Sequence, residues 1–356
     1  MDQVRIGLIG CGTIAEKQLA GLAQIGRVRL VATADVTAER AALLADRHGA
    51  ARSYTDHRQL LDDADVDAVI VSTPNHLHAQ HTIDAAGAGK HVLVQKPLAL
   101  TLQDIDAMDR AVKSAGVTAM ALMMNRFTPS YVRLKELLDR RTFGAPLVYR
   151  THFSHAGIYK SYKPTSHWFL DRAKAGGGPL LDLGVHHFDL LRWLSGQEVV
   201  SVSAEVATLG AEQESENNAL VSLTFSDGAI AQLFLSFTTS LPTGFHVQRV
   251  EVYGATGSAW CAPATVERPP LRVFVEGAAD DLLLGITEIR VPDADPWANT
   301  MEHFADCVLG QRTPLTTFDD GRRALEVVLA CYRSAAEGRR VHLSGVASER
   351  AAQVPA

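Results

Sequence analysis

The run GGGPLLDLGVHHFDLL, from Gly176 to Leu191, sets an aspartate and two adjacent histidines behind three glycines in otherwise apolar surroundings. Such groups suit a metal site, a proton relay or a tolerated polar core. At about 100° per residue on a helix, Asp182, His186, Asp189 and Trp193 fall on one narrow stripe, and His187 lies about 100° from His186. Side chains at i and i+4 can meet or reach the same ligand, which makes Asp182 and His186 a pair. His187 shares its face with Leu183, Leu190 and Leu194, so a packing role is expected for it. A catalytic zinc takes about three protein ligands. The stripe gathers two good ones, and no metal is expected.

A second set of chemistry lies at the amino end. IGLIGCGTIA places Gly10, Gly12 and Ala15 in GxGxxA spacing, after an apolar run that reads as a strand and at the opening of a helical pattern. Glycines allow a tight turn and close backbone approach to a pyrophosphate, and the helix start, here Thr13 and Ile14, supplies free N–H groups and positive dipole. Asp35 ends the next strand, VATAD, at about the 20-residue distance of the dinucleotide fingerprint. A carboxylate there accepts from ribose hydroxyls and repels a 2'-phosphate, so NAD is expected over NADP.

Positioning these groups takes two kinds of architecture. From Val4 to Met124 the runs VRIGLIG, VRLVATAD, DAVIVSTP, HVLVQKP and VTAMALMM alternate with helical patterns that stop at glycine. Continuous apolar runs belong to strands buried on both faces of a parallel sheet, so this half is read as doubly wound α/β. After about Asn125, runs such as VVSVSAEVAT, NALVSLTFS, AIAQLFLSF and VQRVEVYG alternate apolar with polar residues, which predicts an antiparallel sheet in an α+β domain. Two helical patterns, around 299–310 and 319–337, close that domain. The expected organisation is therefore 1–124 for the dinucleotide-binding domain, 125–344 for a substrate-binding and oligomerisation domain, and a frayed tail over 345–356.

Composition narrows the field. With 47% hydrophobic and 21% charged residues in a chain of 356, the protein reads as soluble and globular. A formal net charge of -6, without clustered Lys and Arg, speaks against nucleic acid and anionic membrane as partners. The four scattered cysteines and the lack of a signal-like or membrane-length apolar run point to a reduced, cytoplasmic setting.

The glycine-rich turn, STPNHLHA (Ser72 to Ala79), KHVLVQKPLA (Lys90 to Ala99) and GGGPLLDLGVHHFDLLRWLSG, in this order, resemble the glucose-fructose oxidoreductase and inositol dehydrogenase family, Gfo/Idh/MocA. The resemblance implies an N-terminal NAD(P)-binding Rossmann domain and a C-terminal domain with a large, mostly antiparallel sheet. It assigns Thr73, Asn75 and His78 to the nicotinamide side of the cofactor. Lys96 corresponds to the family lysine that touches substrate and cofactor. The usual glutamate before it is replaced by Gln95, which takes a negative charge from beside the lysine. Asn125 and Arg126 correspond to domain-junction residues that reach substrate, although a plain salt bridge suits Arg126 equally well. The stretch AGIYKSYKPTSHWF, with Tyr159 and Trp168, is suited to holding a polyol ring.

In the family's DxxxH element, here Asp182 and His186, the resemblance implies that His186 is the general base and Asp182 holds substrate or orients the histidine. Oxidising a secondary alcohol removes hydride from carbon and a proton from oxygen, and an imidazole can take that proton near neutral pH. The expectation is an NAD-dependent dehydrogenase of a sugar, inositol or related polyol, assembled as a homodimer or homotetramer. Two alternatives stand beside it. One is a glycoside hydrolase or lyase that oxidises the sugar transiently with bound NAD, and the other is a non-catalytic NAD-binding transcriptional regulator.

Overall fold

The computed structural model describes residues 3–163, 166–210, 214–264, 270–277 and 285–343. They fall into two compact units, the first within the bounds Met1–Phe127, Lys163–Gly176 and Ala294–Leu325, and the second within Thr128–Tyr162, Gly177–Asp293 and Glu326–Ala356. The division is thus not a single cut near residue 125. A short middle segment, the whole of the first closing helical region and the start of the second return to the first unit. The tail expected over 345–356 lies outside the described residues.

In the first unit, the apolar runs become β1 (Val4–Ile9), β2 (Val28–Ala34), β4 (Ala68–Val71), β5 (His91–Val94) and β6 (Ala119–Ala121). The sequence reading missed β3 (Arg52–Tyr54), a three-residue edge strand with no apolar run to betray it. Among the described residues these form one sheet of order β3-β2-β1-β4-β5-β6, parallel throughout. All four residues of β4 are buried, as expected where helices cover both faces. The connecting helices are α1 (Thr13–Leu22), α2 (Ala38–His48), α3 (His57–Leu61), α4 (His78–Gly87) and α5 (Leu102–Ala115). Thr101 caps α5 by accepting from Asp104 N–H, and α5 ends at Gly116 in the left-handed conformation that glycine adopts without a Cβ penalty.

The chain continues with α6 (Pro129–Asp139), β7 (Pro146–His155), α7 (Ile158–Tyr162), α8 (Arg172–Ala175), α9 (Pro179–Asp182) and α10 (Gly184–Ser195). Then follow β8 (Val199–Ala207), β9 (Asn218–Phe225), β10 (Ile230–Ser236), β11 (His246–Gly254), β12 (Gly257–Ala264), β13 (Leu271–Val275) and β14 (Ile286–Glu288). Last come α11 (Pro296–Val308), α12 (Phe318–Glu337) and β15 (Val341–His342). Among the described residues the nine later strands make a sheet of order β14-β13-β12-β11-β7-β10-β9-β8-β15, antiparallel except where β7 runs beside β10. One face carries Phe153, Leu233, Leu235, Val250 and Val252, all buried, beneath α6, α9 and α10. The opposite face exposes Leu220, Ile230, Phe274 and Ile286.

The helix α11 does not close the second unit, as the sequence reading had it. It packs on α1 and brings Met301, Phe304 and Ala305 into the same core as Ile6, Leu8 and Leu19. Among the described residues no helix is long and apolar enough to cross a membrane.

Candidate active site

In the first unit, the residues expected to hold a cofactor gather along one edge, because each follows the carboxyl end of a parallel strand. Gly10 follows β1, Asp35 follows β2, Thr73 lies just past β4, and Gln95 and Lys96 follow β5. The sheet order reverses between β1 and β4, and crevices at such switch points are where open α/β sheets bind ligands. Gly10 has φ +95, and a Cβ there would stand 2.7 Å from the Ser72 carbonyl carbon, so only glycine fits. No heavy atom comes within 4 Å of a Cβ built on Gly12, which leaves the approach to the start of α1, at Thr13 and Ile14, open. These features fit a dinucleotide whose pyrophosphate rests on the turn.

Asp35 is engaged more fully than its spacing suggested. It accepts from Cys11 N–H at 2.9 Å, inside the glycine-rich turn, and from Thr37 N–H at 2.9 Å. The Arg40 guanidinium lies 3.5 Å away. The carboxylate therefore shapes the turn while keeping acceptor capacity, and Arg40 offsets part of its charge.

His78 is placed otherwise than the family run implied. It is fully buried, with Nδ1 2.7 Å from Pro97 O and Nε2 2.8 Å from Thr73 O. Both ring nitrogens face backbone carbonyls, so the imidazole sits between the loop after β4 and the loop after β5, donating to one of the two carbonyls as a neutral ring. Burial lowers its pKa. Asn75, also buried, donates from Nδ2 to Ala175 O at 2.9 Å, which pins α8 to the same loop. His81, which sequence reasoning missed, has Nδ1 3.0 Å from Thr73 Oγ1, and burial pulls its pKa down to about 4, so it orients that hydroxyl as a neutral ring.

Lys96 is partly exposed at the strand end, and its own N–H donates to Gln95 Oε1 at 2.8 Å. Arg126 is 5% exposed, pairs with Asp320 at 2.8 Å and donates to Leu315 O at 3.0 Å. The structure thus gives this guanidinium the salt bridge expected as one of its two roles, within the first unit. Asn125 is buried beside it. Trp168 stacks on Phe169 with ring centroids 3.7 Å apart and belongs to the segment that returns to the first unit. Tyr159 lies on α7 in the second unit. The expected single polyol loop is therefore divided.

In the second unit, α9 and α10 run on from one another with a break at Leu183. From Pro179 to Leu194, Asp182, His186 and Trp193 are partly exposed, and every other side chain is buried. Asp189, on the same stripe by angle, is fully buried. Phe153 of β7 is the neighbour that these groups share: its ring centroid lies 6.2 Å from His186, 5.3 Å from His187 and 5.8 Å from His246. Tyr162 stands edge-on to His155 at 5.2 Å. Its hydroxyl pKa is pushed up by burial, with the negative charge of Asp182 adding to the effect. His155, Tyr162 and His246 had no spacing that could have marked them, since they come from three separate elements. Among the described residues no group of three or more His, Cys, Asp or Glu side chains could hold a metal ion.

The chain matches a family model described as an oxidoreductase family with an NAD-binding Rossmann fold over residues 4–123, and a GFO/IDH/MocA C-terminal domain over residues 131–260. It is 32% identical over 343 residues to 1,5-anhydro-D-fructose reductase of Ensifer adhaerens, spanning 95% of this chain and 98% of that protein. It is 30% identical over 346 residues to scyllo-inositol 2-dehydrogenase (NAD(+)) of Bacillus subtilis, spanning 96% of this chain and 96% of that protein. Among solved structures, the aldose-aldose oxidoreductase of Caulobacter crescentus in complex with glycerol superposes with a TM-score of 0.84 at 29% identity, covering 96% of this chain and 100% of that one.

Proposed function

The chain belongs to the Gfo/Idh/MocA family of oxidoreductases, and from that premise we propose that it is an NAD-dependent dehydrogenase of a sugar, inositol or related polyol. The observation that carries this reading is that Asp182, at the end of α9, and His186, in the first turn of α10, are partly exposed while every other side chain from Pro179 to Arg192 is buried. When bound, the nicotinamide supplies the acceptor or donor of hydride. His186 takes the hydroxyl proton as the alcohol becomes a ketone and returns it in the reverse direction. Asp182, one turn before it, holds the substrate or orients the imidazole. Lys96 polarises the reacting oxygen with its ammonium group. The three relatives named above support a polyhydroxylated substrate. The experiment is a screen of NADH absorbance against sugars, inositols, sugar acids and their keto forms. Cleavage of a glycoside without net NAD turnover would replace this reading with transient oxidation, and an inert protein that still binds NAD would point to a regulator.

The preference for NAD rests on Asp35, whose carboxylate would face a 2'-phosphate. Titration of both cofactors against tryptophan fluorescence is expected to show tighter NAD binding. Asp35→Ser should narrow the preference by about tenfold, and Arg40→Ala, which removes the cation beside the carboxylate, should widen it. Equal affinities in the wild type would remove Asp35 from the ribose. The setting we propose is cytoplasmic, where the four free, buried cysteines stay reduced. A homodimer or homotetramer would cover Leu220, Ile230, Phe274 and Ile286 on the open sheet face, and light scattering that returns a monomer would end that idea.

A further inference from the structure

Within the second unit, the start of the helix that carries Asp182 and His186 is held by a carboxylate with no part in the chemistry above. Glu216, in the link between β8 and β9, is 8% exposed. Its Oε1 accepts from Gly178 N–H at 3.0 Å, from Leu180 N–H at 3.1 Å and from the Tyr332 hydroxyl at 2.8 Å. A helix start leaves its first amides without intrahelical partners. Two such amides at the head of α9 are satisfied by one oxygen from a distant link, through hydrogen bonds strengthened by charge.

The approach is too close for any residue but glycine. A Cβ on Gly178 would stand 1.8 Å from the Glu216 backbone oxygen, and one on Gly177 would stand 2.0 Å from the Tyr332 hydroxyl oxygen. The chain returns to the second unit at Gly177, so this anchor grips the first residues after the return. From there the connection to the working groups is short. Gly178 O accepts from Asp182 N–H at 2.9 Å, and Pro179 O accepts from Leu183 N–H at 2.9 Å, the residue on which α10 begins.

We infer that Glu216, seconded by Tyr332, is a positioning residue for the dehydrogenase reaction: it fixes the first turn from which Asp182 and then His186 are hung. The inference rests on the proposed role of His186. A displacement of about 1 Å at a reacting group costs on the order of 100-fold in rate, so an anchor two turns away acts on turnover without touching substrate.

The test compares Glu216→Ala, which removes the acceptor, with Glu216→Gln, which keeps an oxygen of the same shape. Both are assayed well below their unfolding temperatures for kcat, KM and NAD affinity. Amide hydrogen exchange is followed over 178–186. Glu216→Ala is expected to lower kcat by about 30- to 100-fold, leave NAD affinity within about twofold and speed exchange over that stretch. Glu216→Gln should restore kcat to within about fivefold of wild type and restore slow exchange. A folded Glu216→Ala enzyme with wild-type kcat, or a Gln variant as slow as the Ala variant, overturns the inference. If Glu216→Ala does not fold, Glu216→Asp, which withdraws the oxygen by one methylene, takes its place under the same criteria. The exchange arm separates the two readings. Faster exchange restored by Gln, in a protein that oxidises no polyol, keeps the anchor and ends the proposed function. Unchanged exchange with intact turnover does the reverse.

Discussion

Lys96→Met is expected to leave NAD affinity within about twofold of wild type while lowering turnover by about 100-fold or more. Methionine is unbranched and nearly as long as lysine, so the substitution removes charge with little change in packing. The backbone around the lysine is well held. Gln95 N–H donates to Val71 O at 3.0 Å, Gln95 Oε1 receives Lys96 N–H, and His78 bonds Pro97 O on the far side. A loss of rate therefore reports the ammonium group and not a collapsed loop. In water-excluded sites, a charge aimed at a developing oxyanion contributes far more to the transition state than to ground-state binding. The check is kcat measured beside a fluorescence titration with NAD. Near-normal turnover would remove Lys96 from the chemistry, and a parallel loss of NAD affinity would make it a cofactor ligand instead.

How much of this was legible in the sequence follows from the range over which each feature is determined. The parallel sheet declares itself locally. Strands such as AVIV at 68–71 are apolar throughout because both faces are covered, and the glycine turn and Asp35 sit at distances set by one strand, one turn and one helix. The central strand β7, PLVYRTHFSH, does not declare itself. Arg150, His152 and Ser154 alternate with Tyr149, Thr151 and Phe153, and the alternation makes sense only once β10 and β11 flank it. Side-chain roles at the site were harder still. Nothing in PNHLH says that His78 will face two carbonyls, because one of them, Pro97 O, arrives on the loop after a different strand. Arg126 finds Asp320 at a separation of 194 residues, and Gly178 finds Glu216 at 38. Glu216 lies in the polar stretch ESENN, which reads as an ordinary loop until the glycines come to it. The four-residue spacing of Asp182 and His186 was legible, but the break at Leu183 that sets one on α9 and the other on α10 was not.

The two adjacent histidines should separate cleanly in experiment. His186→Ala is expected to lower kcat by about 100- to 10,000-fold, the usual cost of losing a general base, with little change in NAD affinity or unfolding temperature. His187→Ala should retain turnover and lose about 2–4 kcal/mol of stability, as truncated buried rings commonly do. The difference lies in their surroundings. His186 is partly exposed on the stripe with Asp182, whereas His187 is fully buried against Phe153, with Nε2 3.4 Å from Gln248 Nε2. Burial pulls the His187 pKa down to about 3, so the ring is neutral in the folded protein. In the unfolded chain it protonates below its ordinary value of about 6.5. Unfolding then takes up a proton, and stability falls as pH drops from about 6.5 towards 3. His187→Gln, which cannot protonate, should flatten that part of the stability curve by up to one proton. The measurements are kcat at neutral pH, unfolding temperature from pH 7 down to pH 4, and metal content of the same preparations. Abolished turnover in His187→Ala with most activity kept in His186→Ala would reverse the two assignments, and a stoichiometric transition metal in the wild type would mean that the pair serves as ligands and not as a base with its partner.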